Sequence, residues 1–174
     1  TTNKLKVLIT EEEIQNKVKE IANKLNEKYK DSEELTLICV LSGSFMFFTD
    51  LVKHLNMDTK LEFIKVSSYQ STESTGKIKE ILFNLPDLKG KDVVIVEDIV
   101  DTGRTLTHLK NLFFDRRAKS VSICALLVKK HTEAKNLVDY KCFDCPDEFI
   151  VGYGLDYRQK YRNLPYITSI THRR

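Results

Sequence analysis

Three apolar runs limit what this chain can fold into: residues 35–41 (LTLICVL), 93–96 (VVIV) and 121–128 (VSICALLV). Each is short and nearly continuous in apolar side chains, the pattern of a strand covered on both faces. Helical patterns separate them. Thr10 followed by Glu13 is a capping box, and Ile14, Val18, Ile21 and Leu25 then recur at helical spacing. Residues 45–55 and 105–114 read as two further helices, and residues 61–68, 81–85, 149–153 and 166–170 as further strands. Strands alternating with helices predict an α/β fold with a central, mostly parallel sheet flanked by helices. Residues 69–79 turn polar and Ser/Thr-rich around Gly76, which reads as a long mobile loop, and residues 86–90 as a turn. With no internal repeat and no linker, residues 1–174 read as a single domain.

Charge and cysteine usage exclude several classes of function. A net charge of +3 is too small for a domain that holds nucleic acid by charge alone. No run approaches the ~18 apolar residues that cross a bilayer, and the first residues lack the apolar stretch of a signal peptide, so a cytoplasmic protein without a membrane partner is expected. Cys39 and Cys124 lie inside apolar runs and read as buried, reduced thiols. Cys142 and Cys145 make one C-x-x-C with no second pair to complete a zinc site, and they read as chemically silent.

In an open parallel sheet, ligands gather beyond the carboxyl ends of the strands. There the sequence is most informative at residues 93–106 (VVIVEDIVDTGRTL). A buried strand delivers Glu97 and Asp98, then Asp101, then a Thr102-Gly103-Arg104-Thr105 turn that opens a helix. The turn offers backbone N–H groups, a glycine that permits close approach and two hydroxyls at the positive end of a helix, a nest for a phosphate monoester. The adjacent acids suit a ribose diol or water on a bound Mg²⁺. Neither G-x-x-x-x-G-K-[ST] nor G-x-G-x-x-G occurs, so a nucleoside-triphosphate loop or a dinucleotide site has no support.

This string resembles the phosphoribosyl pyrophosphate signature of type I phosphoribosyltransferases. Four further stretches are similar to hypoxanthine-guanine phosphoribosyltransferases: LSGS at 41–44, SSY at 67–69, LLVK at 126–129, and FIVGYGLDY at 149–157 followed by YRNLP at 161–165. The resemblance implies the type I phosphoribosyltransferase fold, with a small hood formed by the terminal segments. It implies a purine salvage enzyme that joins hypoxanthine or guanine to phosphoribosyl pyrophosphate with Mg²⁺, as a homodimer or homotetramer. The alternatives are a related enzyme preferring xanthine and a regulatory protein that senses phosphoribosyl pyrophosphate.

The same resemblance implies the roles of individual residues. Glu97 and Asp98 face the ribose, and Asp101, Thr102, Gly103, Arg104 and Thr105 cradle the 5′-phosphate. Asp101 is the general base, and Ser42, Gly43 and Arg162 meet the pyrophosphate. Lys129, Phe149, Ile150 and Asp156 bind the purine, with Lys129 donating to its 6-oxo group and Phe149 stacking on the ring. Asp156, with Glu97 and Asp98, holds the Mg²⁺. Ser68 and Tyr69 begin a mobile loop that closes over the site. Ser42 departs from the family, which usually has lysine there, and removes a charge from the pyrophosphate loop.

Overall fold

A computed structural model describes residues 3–70, 77–81 and 84–172. The first helix, α1 (Glu11–Lys28), follows a short strand, β1 (Asn3–Ile9). Thr10 caps it as the sequence predicts: Thr10 Oγ1 accepts from the Glu13 N–H at 3.1 Å, and the Glu13 carboxylate accepts from the Thr10 N–H at 3.2 Å. Its apolar stripe of Ile14, Val18, Ile21, Ala22 and Leu25 is buried.

The apolar runs become strands of one six-stranded sheet. In chain order its members are β2 (Leu35–Leu41), β3 (Thr59–Gln70), β4 (Lys77–Ile81), β5 (Asp92–Val100), β6 (Ser120–Lys129) and β7 (Tyr140–Cys145). Their spatial order is β4-β3-β2-β5-β6-β7, parallel throughout except for β4. Because side chains alternate across a strand, the sheet divides its core in two. Leu37, Cys39, Val94, Val96, Cys124 and Leu126 pack with α1 and with α2 (Phe45–Val52) on one face. Ile38, Val40, Val93, Ile95, Ile123 and Ala125 pack on the other with α3 (Arg104–Asp115), through Leu106, Leu109 and Phe113. Burial on both faces is why these runs carry no polar alternation.

The terminal segments meet in a second sheet, the hood. Here β1 pairs antiparallel with β9 (Ile167–His172), which also pairs with β8 (Ile150–Val151). Among the described residues no helix is long and apolar enough to cross a membrane.

Several expectations are corrected. The strand expected at 61–68 runs from Thr59 to Gln70, so Ser68 and Tyr69 lie in it, paired with Lys79 and Ile78 of β4. The long loop expected at 69–79 is therefore an antiparallel ribbon at its two ends, and residues 71–76 lie outside the described residues. A polar ribbon needs only backbone pairing, which leaves no apolar period in the sequence. Of the strand expected at 81–85, Ile81 belongs to β4, residues 82 and 83 lie outside the described residues, and residues 84–85 form no strand. Helix α2 stops at Val52 instead of residue 55, because His54 and Leu55 bond back three residues and tighten the chain. Strand β7 was not expected. It is a sheet-edge strand of mixed polarity, and it carries Cys142 and Cys145, both buried and free. Burial pushes the Cys142 thiol up to about 12 and the Cys39 thiol up to about 11, so both stay protonated.

At the amino end of β5, away from the site described below, Asp92 accepts from Ser32 Oγ at 2.5 Å and Ser120 Oγ at 2.6 Å. Burial opposes its charge, yet the Ser120 and Ser32 hydroxyls, with Lys119 and Lys28, hold its pKa below the ordinary value of 3.8. A carboxyl depressed on folding contributes stability that is present above the unfolded value and lost as pH falls through the folded one. The urea midpoint is expected to drop as pH falls below about 4. Asp92→Asn should make that decline shallower, and an identical decline in its unfolding curves would remove Asp92 from the cause.

Candidate active site

The carboxyl ends of β2, β5 and β6 lie side by side, and each delivers one part of a cleft. Beyond β5, the chain from Glu97 runs into α3 through Gly103, whose φ of 76° is left-handed. Glycine is needed there twice over. A Cβ in that conformation is strained, and it would stand 2.5 Å from the Ala134 Cβ. Ala134 belongs to a short 3-10 turn (Glu133–Leu137) capped by the Thr132 hydroxyl, which packs against the start of α3. The N-cap of α3 is Gly103, which has no side chain, and the Thr102 hydroxyl accepts from the Arg104 N–H at 3.3 Å. A hollow of about 170 Å³ lined by residues 97–106 lies at the start of this helix. The residues expected to cradle a phosphate line this hollow, with Asp101 and Thr102 exposed at its rim.

Two carboxylates stand at the entrance. Glu97 is buried, and its pKa is pushed well above the ordinary range by burial first and by the charge of Asp98 second. Glu97 Oε1 accepts from the Asp98 N–H at 3.0 Å, and Asp98 Oδ1 accepts from the Ile99 N–H at 2.6 Å. The other Asp98 oxygen faces Gly43, where a Cβ would collide with it.

Gly43 belongs to the turn between β2 and α2. The Leu41–Ser42 peptide in that turn is cis. Ser44 is buried and donates its hydroxyl to the Val40 carbonyl at 2.5 Å, so its side chain serves the turn itself.

Beyond β6, Lys129 reaches back across the cleft to Asp101, with Nζ 3.6 Å from Oδ2. Both side chains are more than half exposed, so the ion pair is screened and contributes little to stability. Its interest lies in its position. Lys129 also lines a second cavity of about 300 Å³, closed by the chain from Cys145 to Ile150 and by Ile99. Ile99 borders both hollows, so the second cavity adjoins the first. Phe149 is 57% exposed beside this cavity, with its ring edge-on to Tyr157 at 5.7 Å. A large aromatic face left open beside a cavity suits a flat ring. Ile150 is buried on β8, pairing with Ser169.

The hood supplies the last part. Gly154 lies so close to the turn after β2 that a Cβ there would strike the Gly43 carbonyl. Arg162 donates to the Gly154 carbonyl at 2.6 Å and lies 3.5 Å from Asp156, whose carboxylate also accepts from the Gln159 N–H at 2.9 Å.

The sequence-predicted residues therefore gather around one cleft, with two exceptions. Ser68 and Tyr69 are strand residues. The three-carboxylate metal set of Asp156, Glu97 and Asp98 does not form: among the described residues no group of three potential ligands is close enough to hold an ion. Asp156 is turned toward Arg162 instead. The donor set still fits Mg²⁺, which commonly takes one or two protein carboxylates and completes its shell with water and substrate phosphates.

Sequence reasoning missed Ile99, which joins the two hollows, and Gly154, which locks the hood to the β2 turn. It also missed the cavity wall at 145–148. Gly154 had a usable signal, since a second glycine two residues after Gly152 marks a close backbone approach. The wall had none.

If the contact between Gly43 and Asp98 sets this geometry, Gly43→Ala should cost about 1–3 kcal/mol in urea unfolding. Adding Asp98→Ala should restore most of that loss, whereas additive losses would show that the two residues do not constrain each other.

A family model described as the phosphoribosyl transferase domain matches residues 9–158. The chain is 47% identical over 164 residues to a hypoxanthine-guanine phosphoribosyltransferase of Bacillus subtilis (strain 168), spanning 93% of this chain and 91% of that protein. It is 43% identical over 169 residues to a hypoxanthine phosphoribosyltransferase of Escherichia coli (strain K12), spanning 95% of each. A crystal structure of a hypoxanthine-guanine phosphoribosyltransferase from Bacillus anthracis superposes with a TM-score of 0.87 at 42% identity, covering 98% of this chain and all of that one. Sequence, fold and cleft thus agree, and the chain belongs to the hypoxanthine-guanine phosphoribosyltransferase family.

Proposed function

We propose that this protein transfers the 5-phosphoribosyl group from phosphoribosyl pyrophosphate to N9 of hypoxanthine or guanine, releasing IMP or GMP and pyrophosphate. The observation that carries the proposal is the Lys129–Asp101 pair, which lies between a phosphate nest and an adjoining cavity with an open aromatic face. A base in that cavity and a ribose 5-phosphate in the nest would meet beside Asp101.

The residues divide the work accordingly. Asp101, Thr102, Gly103, Arg104 and Thr105 hold the 5′-phosphate, and the carboxyls of Glu97 and Asp98 take the ribose hydroxyls. Phe149 stacks on the purine, Ile150 meets its edge through the backbone, and Lys129 leaves Asp101 to donate to the 6-oxo group. Adenine carries an amino donor there, so a lysine opposite it has nothing to bond. As N9 bonds to C1′, the C1′–O bond to pyrophosphate breaks and the proton on N7 passes to the Asp101 carboxylate. The loosened C1′ carries positive charge and the departing group gathers negative charge. Arg162 and the backbone N–H groups of Ser42 and Gly43 hold that group. A bound Mg²⁺, held by Asp156 or by the acids at the ribose, would neutralise part of the same charge. The ribbon from Ser68 and Tyr69 would cover the site and exclude water while C1′ is reactive. The working unit is a homodimer or homotetramer, as the family resemblance implies.

The test is an absorbance assay with phosphoribosyl pyrophosphate, Mg²⁺ and hypoxanthine, guanine, xanthine or adenine separately. Nucleotide formed from hypoxanthine or guanine and abolished by a chelator is expected. No turnover with any base, from folded protein that still binds phosphoribosyl pyrophosphate, would replace the proposal with a sensing role. Asp101→Asn keeps the shape but cannot accept the proton, so turnover should fall ~10²–10⁴-fold with substrate binding close to normal. Near-normal turnover with chemistry rate-limiting would assign the proton to another group.

A further inference from the structure

Outside the cleft, a half-buried polar cluster is tied to it by a chain of contacts. Asp50 sits on α2, the helix that starts directly after the Ser42–Ser44 turn. One carboxylate oxygen of Asp50 accepts from the Tyr153 hydroxyl at 2.5 Å and from Gln15 Nε2 at 2.9 Å, and the other pairs with Lys53 at 3.2 Å. Burial opposes the Asp50 charge, but Tyr153, Gln15 and Lys53 outweigh it and hold the pKa below its ordinary value. Burial, then donation to that carboxylate, push the Tyr153 hydroxyl far upward. Donor and acceptor therefore keep their roles across the physiological range.

Tyr153 is 1% exposed and has a φ of 50°, between Gly152 and Gly154 at 97° each. Three consecutive left-handed residues, one of them bulky, are costly and persist only where the surroundings fix them. The fixing contacts are the Tyr153 N–H to the Leu164 carbonyl at 2.7 Å, the Gly154 N–H to the Arg162 carbonyl at 2.9 Å, and the hydroxyl on Asp50. The segment they fix presents the Gly154 carbonyl that seats the Arg162 guanidinium and presses Gly154 on the Gly43 carbonyl.

We propose that Asp50 and Tyr153 are a positioning pair: through the Tyr153 hydroxyl, Asp50 fixes the segment that aligns Arg162 and Gly43 for the pyrophosphate end of the substrate. The inference rests on the reading above that these two residues meet the pyrophosphate. The base cavity is lined by Ile99, Lys129 and residues 145–150, which precede the fixed segment, so the pair should weigh more on the pyrophosphate end than on the base.

Tyr153→Phe keeps the buried ring and removes only the hydroxyl. Its KM for phosphoribosyl pyrophosphate is expected to rise about tenfold, with the KM for hypoxanthine changed by less than about twofold. Gln15→Met is the control. It removes a donor from the same carboxylate oxygen and leaves the Tyr153–Asp50 bond in place, so it should lower Tm while leaving both KM values in place. Asp50→Asn keeps an acceptor for the hydroxyl and should give a smaller rise than Tyr153→Phe. An unchanged KM for phosphoribosyl pyrophosphate in Tyr153→Phe would overturn the proposal, as would an equal rise in Gln15→Met, which marks a merely structural cluster. Dissociation constants for phosphoribosyl pyrophosphate by calorimetry read the same shift without any base. Failure of the positioning pair is thereby kept separate from failure of the proposed reaction.

Discussion

Two backbones and one carboxylate meet at Gly43, and the rest of the cleft is arranged around that crowding. Asp98 presses from the end of β5, and Gly154 presses from the hood, each at a distance that leaves no room for a Cβ. The first contact ties the β2 turn to the acids beside the nest. The second ties it to the segment that carries Asp156 and Arg162. Parts contributed by residues far apart in sequence therefore share one rigid reference point. Rigidity matters here because a reaction assisted mainly by positioned charges loses rate steeply when its groups drift by an ångström.

Much of this was legible in the sequence, and the reason is the double coverage of the sheet. A strand buried on both faces must be apolar at successive positions, so β2, β5 and β6 announce themselves, and their carboxyl ends point to the chemistry. The string from Glu97 to Thr105 was equally readable as a strand that turns into a helix, because the left-handed turn at Gly103 demands glycine. What stayed hidden lacks a local demand. Strand β7 lies at the sheet edge with mixed polarity, β4 is a polar ribbon, and β8 is two residues long. The places of Phe149, Asp156 and Arg162 came from family resemblance alone. Composition would have put the first in the core and the other two in solvent. The structure gives Phe149 an exposed ring and Asp156 and Arg162 a shared contact.

The metal set shows a different limit. The resemblance implied a metal held by Asp156, Glu97 and Asp98, yet nearness to a cleft does not make carboxylates converge, and among the described residues these three do not. Glu97 is buried behind Asp98 and faces the cost of its own charge, while Asp156 is taken up by Arg162 and the Gln159 N–H. Mutual repulsion between Glu97 and Asp98 already raises one of their pKa values, and a third carboxylate drawn close without a cation would raise it further.

That repulsion bears on how a substrate with a pyrophosphate group would enter. Among the described residues, Glu97, Asp98, Asp101 and Asp156 border the cleft, with Arg104, Lys129 and Arg162 as cations beside them and a serine at position 42. Arg162 is partly spent on Asp156, and Lys129 on Asp101. A polyanion arriving bare would meet carboxylates with little free positive charge to offset them, at separations where like charges in a partly dry cleft repel by several kcal/mol (~4 kcal/mol at 4 Å). On the proposed function, the substrate is therefore best accommodated with divalent metal already on its phosphates. The protein acids then become an attraction for the complex instead of a barrier. The same electrostatics explain why a cleft rich in carboxylates needs no three-ligand metal site of its own: the ion's remaining ligands would come from the substrate it accompanies.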